Sequence, residues 1–180
     1  MEIKKRGMSM ELLVLSDSHG RRDRIEEAIS VQIKKPDAVI FLGDGLKDIV
    51  SADIGDIPTY CVCGNCDTLN LFSDCNAPTE QNLILGEKRI FFTHGHKYGV
   101  KSALSPLICE GVARGADIIL FGHTHIPFEK TLLQENEHGI NTDKEIHVFN
   151  PGSIGEYPYS FGVITIDRCG RVLLSHGTLK

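Results

Sequence analysis

Tryptophan is absent from this 180-residue chain, and only four tyrosines accompany eight phenylalanines. The aromatic surface on which nucleobases stack is therefore not legible in it. No apolar run approaches the roughly 18 residues of a membrane span. Positive charge is in deficit. Nineteen Lys and Arg stand against 24 Asp and Glu, a formal net charge of −5. The general electrostatic footprint of a nucleic-acid binder is thus missing. There is no internal repeat, linker or low-complexity segment. The basic stretch Met1–Gly7 is not followed by a small-residue cleavage site, and the run Leu12–Leu15 is too short for the apolar part of a signal peptide. Residues 1–9 read as a loose extension, with Met8 and Met10 as alternative starts, and 10–180 as one domain. Six cysteines without a secretion signal point to a reducing cytoplasm rather than to a disulfide framework.

What is present is ordinary globular material, 41% hydrophobic and 24% charged, enough for one domain with a sizeable core. Short β-rich apolar runs at 11–16, 38–42 and 59–63 read as buried strands. They alternate with amphipathic segments. Ile25, Ala28, Ile29 and Ile33 share one face of a helix expected over 23–35, ended by Pro36. A second, short helix is expected over 46–53. Residues 68–80 read as an irregular loop. A hairpin follows around residues 86–88, then a helix near 102–114 and a strand over 117–121. From Ile126 onward the pattern becomes a meander of strands at 127–133, 145–149, 160–166 and 171–176, with Gln134–Lys144 as a polar turn. Alternation implies a largely parallel sheet, and the meander a second, mostly antiparallel one, packed together with helices outside.

Five of the apolar runs share one grammar, each ending in a cluster of Asp, Asn or His. The endings are Asp17-Ser18-His19, Gly43-Asp44, Gly64-Asn65-Cys66-Asp67, His94-Gly95-His96 and Gly122-His123-Thr124-His125. Singly, each has a bland reading. Asp17 or Asp44 caps a loop, and a lone histidine such as His138, His147 or His176 is a satisfied structural residue. Jointly they point to metal chemistry, because ligands in open α/β sheets gather beyond the carboxyl ends of strands. The candidate ligands outnumber the needs of one ion and suit two. The nitrogen and oxygen set favours Mn²⁺, Fe²⁺ or Zn²⁺ over Cu(I), and is too rich in nitrogen for a Ca²⁺ or Mg²⁺ cage. Cys61, Cys63 and Cys66 fall short of a four-ligand zinc or iron–sulfur site. Cys61 and Cys63 instead share a buried strand face, and Cys109 and Cys169 read as small core residues.

In this order the motifs resemble those of the calcineurin-like metallophosphoesterases, over about residues 11–165, and most of all the YfcE-like phosphodiesterase branch. The resemblance implies a four-layer αββα sandwich of two mixed β-sheets. It implies that Asp17, His19 and His125 hold one divalent ion, that Asn65, His94 and His123 hold another, and that Asp44 bridges them. The ions implied are Mn²⁺ foremost, with Fe²⁺, Zn²⁺ or Ni²⁺ as alternatives. The reaction implied is attack on a small phosphodiester by a hydroxide shared between two ions. Asp67 takes a supporting role. His96 contacts the phosphate, supports a ligand, or offers its backbone carbonyl. Many relatives have histidine where this chain has Cys66, and that imidazole is thought to protonate the leaving group. A thiol is a poor substitute and brings no positive charge to the phosphate, which implies weak activity on phosphomonoesters. The contrasting expectation is a non-catalytic interaction scaffold, like the metallophosphoesterase-like subunit of retromer. Such scaffolds tend to lose ligands in the Gly-Asn-x-Asp motif, whereas Asn65 is kept here. Relatives are often homodimers or homotetramers.

Overall fold

A computed structural model of the chain describes residues 9–68, 77–135 and 141–180. The N-terminal extension, most of the irregular segment expected over 68–80, and His138 lie outside the described residues.

The first unit is β1 (Met10–Leu15), α1 (Arg22–Ser30), β2 (Ala38–Phe41), α2 (Leu46–Ser51), β3 (Thr59–Cys61) and the single turn α3 (Asn65–Thr68). Next come the hairpin β4 (Glu80–Leu85) and β5 (Lys88–Thr93), a 3-10 turn at His96–Tyr98, α4 (Ser105–Ala113) and β6 (Ile118–Leu120). The chain closes with β7 (Phe128–Glu135), β8 (Asn141–Asn150), β9 (Ser160–Ile166) and β10 (Val172–Thr178).

Two mixed five-stranded sheets result, in the orders β10-β9-β1-β2-β3 and β4-β5-β6-β8-β7. Strands β1, β2 and β3 run parallel in one sheet, and β5, β6 and β8 run parallel in the other. Antiparallel partners, β9 and β10 in the first and β4 and β7 in the second, flank them.

The alternation of side chains along a strand produces the layers. Leu12, Val14, Ile40, Phe92, Leu120 and Ile164 belong to the core between the sheets. Their neighbours Leu13, Leu15, Val39 and Phe41 point the other way and pack on Ile25 and Ala28 of α1 and Leu46 and Ile49 of α2. On the far side, Phe91, Ile119, Ile146 and Val148 meet Leu107 of α4. Burial of both faces explains why these strands read as unbroken apolar runs. The αββα sandwich follows.

Four expectations change. The second half of the chain does not build its own sheet. Its strands are shared out, β7 and β8 to one sheet and β9 and β10 to the other. The apolar strand β1 needs partners on both edges, and β9 supplies the second after the chain crosses through 151–159. The helix expected to 35 stops at Ser30, and Ile33 is fully exposed. There Gln32 Nε2 donates to the Ala28 carbonyl, and Pro36 disfavours helical backbone before it. The polar turn of 134–144 is narrower than expected, since β7 reaches Glu135 and β8 begins at Asn141. Cys109 and Cys169 are exposed, not core. Helix α4 buries Leu107 and Gly111, an i, i+4 pair that leaves position 109 on the opposite side, and Cys169 sits in the β9–β10 turn. The readings of Cys61, Cys63, His147 and His176 hold. Cys61 and Cys63 pack in one cluster, His147 Nδ1 lies 3.0 Å from Thr131 Oγ1, and His176 Nε2 lies 2.8 Å from the Asn150 carbonyl.

The early end of α1 has a measurable consequence. In urea denaturation, Ile33→Ser is expected to change stability by no more than about 0.5 kcal/mol, whereas Ile25→Ala is expected to cost about 2–5 kcal/mol. A large loss for Ile33→Ser would return that side chain to a buried face.

Candidate metal centre

The carboxyl ends of the parallel strands of both sheets meet at one rim, and all five polar clusters lie on it. Backbone bonds knit their loops together. Asp17 N–H donates to the Gly43 carbonyl, His19 N–H to that of Asp44, and Gly122 N–H to that of His94. The loops approach so closely that a Cβ on Gly64 would lie 2.1 Å from Asp44 Oδ1, and one on Gly122 2.0 Å from Ser16 Oγ. Glycine is required at both for want of space.

Asp17 is fully buried. Its Oδ2 accepts from Ser16 Oγ at 2.5 Å and from His123 N–H at 3.1 Å. Its Oδ1 is buried and accepts no hydrogen bond. Around that oxygen stand His125 Nε2 at 3.2 Å, His19 Nε2 at 3.8 Å and His94 Nε2 at 3.9 Å. Asp44, also buried, accepts from Cys66 N–H at 2.7 Å through Oδ1. Its Oδ2 lies 3.4 Å from His94 Nε2. The same His94 nitrogen is 3.2 Å from Asn65 Oδ1, and the His94 and His123 ring centroids are 5.0 Å apart. Among the described residues, Asp17, His19 and His125 form one group able to grip a cation, and Asp44, His94 and His123 another. A third, His19, Asp44 and Cys66, joins the two. A bare buried carboxylate oxygen facing imidazole nitrogens is a donor set that fits divalent cations.

Charge in the cluster is strongly perturbed. Burial opposes ionisation of Asp44, yet His94 and the Cys66 N–H hold its carboxyl well below the usual range. Burial likewise disfavours a charged His94, but Asp44 and Asp17 outweigh it and raise its pKa. Asp17 and, after the opposing effect of burial, Glu156 push His125 up to about 9. Burial, then the charge of His94, pushes His123 down to about 4. Partial desolvation of Sγ, then the neighbouring Asp44 carboxylate, push the Cys66 thiol up to about 11, so it stays neutral at physiological pH. His96 is lowered by burial and by His94, and its Nδ1 is buried without a hydrogen bond.

Asp67 stands apart from the bare donors. Its carboxylate accepts from the backbone N–H groups of Asp44, Gly45, Leu46 and Gly64, at 2.8–2.9 Å. It holds the β2–α2 loop and the β3 end in one arrangement. Imidazole tautomers are set in the same way. His94 Nδ1 donates to the Leu42 carbonyl at 2.8 Å, leaving Nε2 toward the carboxylates.

Glu156 has no counterpart in the sequence reading. Its Oε2 lies 2.9 Å from His125 Nδ1. The turn that carries it is anchored at Ser153, whose Oγ donates to the Asp17 carbonyl and accepts from Gly155 and Glu156 N–H. Asn150, from the same stretch, donates through Nδ2 to the Gly122 carbonyl and Thr124 Oγ1, both at 3.0 Å. Asn150-Pro151-Gly152-Ser153, a turn by composition, thus braces two of the site loops. A lone glutamate 31 positions after His125 carries no local signal of this pairing.

A family model described as the calcineurin-like phosphoesterase superfamily domain matches residues 10–168. The probable metallophosphoesterase YsnB of Bacillus subtilis is 32% identical over 145 residues, 81% of this chain and 75% of that protein. Phosphodiesterase YfcE of Escherichia coli K12 is 27% identical over an alignment of 190 residues, covering 92% and 93% of the two chains. The crystal structure of a predicted phosphoesterase from Streptococcus pneumoniae superposes with a TM-score of 0.66 at 24% identity, over 95% of this chain and 98% of that one. Vacuolar protein sorting 29 of Cryptosporidium parvum superposes with a TM-score of 0.64 at 17% identity, over 96% and 99%. These two likenesses speak for the fold.

Removing the Glu156 charge isolates its effect on His125. In NMR titration of the metal-free protein, Glu156→Gln is expected to bring the His125 pKa clearly below about 9, with Asp17 still holding it above an ordinary histidine. An unchanged titration would mean that the Glu156 contact carries no electrostatic weight.

Proposed function

The chain belongs to the calcineurin-like phosphoesterase superfamily, and from that premise we propose that it is a metal-dependent phosphodiesterase acting on a small diester. The observation that carries the proposal is the bare Asp17 Oδ1 ringed by His125, His19 and His94, with Asp44 and His123 beside it. Asp17, His19 and His125 would hold one divalent ion, and Asn65, His94 and His123 the other, with Asp44 between them. When bound, two such ions, Mn²⁺ foremost, supply a water acidic enough to yield a nucleophile at neutral pH and stabilise the charge that develops on phosphoryl oxygens.

The protein's own work is to hold donors in place without adding charge that would repel a phosphate. Asn65 and the neutral imidazoles do this. The Leu42 carbonyl aims His94, and the Glu156 carboxylate aims His125, as outer partners of ligating histidines do. Asp67 fixes the backbone on which Asp44 and Asn65 sit. Asn65, in the Gly-Asn-x-Asp motif where scaffold relatives tend to lose ligands, is kept and stays within reach of His94 Nε2, which favours catalysis over a scaffold role.

Cys66 sets the balance between ester classes. It carries no charge at neutral pH, so neither a second phosphate charge nor an alkoxide leaving group is helped by position 66. Diesters with good leaving groups are the preferred substrates on this reading, and monoesters poor ones.

Two measurements test it. Metal-stripped protein should hydrolyse bis-p-nitrophenyl phosphate only when Mn²⁺ is restored, and Asp44→Asn should reduce turnover at least about a hundredfold. A folded protein inactive with every divalent metal would instead favour the scaffold. Separately, Cys66→His should raise kcat on an alkyl phosphate monoester about tenfold or more, within the range of general acid catalysis. No gain would remove leaving-group protonation from position 66.

A further inference from the structure

The centre is flanked by two recesses of different chemistry. On the β3 side, a recess of about 340 Å³ is lined by several charged or titratable residues, His19, Asp44, Lys47, Asp48, Cys66 and Asp67. Asp48 within it is already committed, its Oδ2 accepting from Ser18 Oγ and Gly20 N–H. On the opposite side, a groove of about 440 Å³ is walled by Val100, Leu104, Phe121, Ile126 and Phe128, with Lys101 its one charged residue among the described lining residues. That volume lies in the usual span of small-ligand pockets, roughly 300–1,000 Å³.

The groove is continuous with the centre. Its wall includes Thr124, the residue between His123 and His125. Val100 and Phe121 lie against Gly95, between His94 and His96, at 3.0 Å and 3.5 Å from where a Cβ would stand. The Phe121 and Phe128 rings meet at 6.0 Å between centroids. Thr124 Oγ1 is already bonded to Asn150 Nδ2 and Ile126 N–H, so it makes little polar demand of an occupant. Ile126 is largely exposed, an apolar side chain on the wall of the groove beside the His123–His125 loop. Lys101 lines the same groove as Thr124, the residue between His123 and His125.

We propose that the substrate is an asymmetric phosphodiester with one aryl or branched-alkyl arm, which lies in the groove of Val100, Leu104, Phe121, Ile126 and Phe128. The phosphate monoanion is then at the His123–His125 loop, with Lys101 beside its path. The second arm is small or polar and faces the recess of His19, Lys47 and Cys66. The proposal rests on the phosphodiesterase reading above and narrows it to a substrate class.

Calorimetric titration of the Mn²⁺-loaded protein with methyl phenyl phosphate and with dimethyl phosphate tests the groove directly. These esters differ only in one arm, and neither carries the activated p-nitrophenoxide leaving group of the assay substrate. Methyl phenyl phosphate is expected to bind at least about tenfold more tightly, a ratio consistent with burial of one ring. Ile126→Asn is expected to reduce that ratio below about threefold. Because Ile126 is exposed, this substitution leaves the core intact. Lys101→Gln is expected to weaken both esters alike, since its charge acts on the shared phosphate. Equal affinities for the two esters, or a ratio unaltered by Ile126→Asn, in protein that hydrolyses bis-p-nitrophenyl phosphate, would overturn the groove assignment and leave the phosphodiesterase reading standing. Absence of metal-dependent hydrolysis would overturn that reading and this assignment with it.

Discussion

Two carboxylates buried at the ends of adjacent parallel strands set the terms for everything near them. Asp17 and Asp44 are almost wholly withdrawn from water, and a buried carboxylate is tolerated only if something nearby answers its charge. Among the described residues, lysine and arginine do not answer it. Backbone N–H groups and imidazoles do. His123 N–H and Ser16 Oγ approach Asp17 Oδ2, Cys66 N–H approaches Asp44 Oδ1, and His94 and His125 supply ring nitrogens. The sandwich brings these donors together because the parallel strands of both sheets end at one rim.

That arrangement costs backbone energy. Asp17, His19, Asp44, His123 and His125 all adopt left-handed backbone, with φ of 56°, 46°, 57°, 66° and 60°. For residues other than glycine this conformation costs about 1 kcal/mol or more each, somewhat less for Asp and His. Such strain persists where surrounding structure over-determines it. The bonds of Asp67 to four backbone N–H groups, those of Ser153 and Asn150 to the first and last site loops, and the sheets beneath perform that role. The apolar layers need only be rigid; the chemistry is concentrated where the backbone is least relaxed.

What sequence reveals follows the range of the interaction responsible. Strands buried on both faces are visible as apolar runs, and residues just past their ends are brought together by topology, so the gathering of Asp17, His19, Asp44, Asn65, His94, His123 and His125 at one rim could be anticipated from pattern and resemblance. The end of α1 was hidden because Ile33 continues the helical spacing while Gln32 and Pro36 end the helix locally. The division of β7–β10 between two sheets was hidden because hairpin periodicity shows that strands pair, not which edge receives them. Cys109 misled through composition alone, since burial of a small residue depends on the helix face and not on its type. Glu156 was invisible for the same reason of range. It reaches His125 through a turn fixed by Ser153 and Asp17, a contact between segments far apart in sequence with no spacing to mark it.

The protonation pattern connects the fold to its proposed chemistry. Asp17 and Asp44 together raise His94, and Asp17 with Glu156 raises His125, whereas His123 is held neutral by burial and by the charge on His94. In the metal-free protein, a protonated His125 and a His94 whose proton affinity is raised therefore answer two buried carboxylates. A divalent ion held by these residues would supply the same sign of charge in place of the proton. The cluster can exchange one form of compensation for the other without unfolding its loops, because Asp67, the Leu42 carbonyl and Asn150 hold the backbone and rings independently of that charge. Cys66 is the member left out of this exchange. Its thiol stays protonated beside Asp44, giving neither a cation to the phosphate nor a thiolate to a metal. Under the proposed function, a neutral residue at this position suits an ester that carries a single negative charge and leaves with little help.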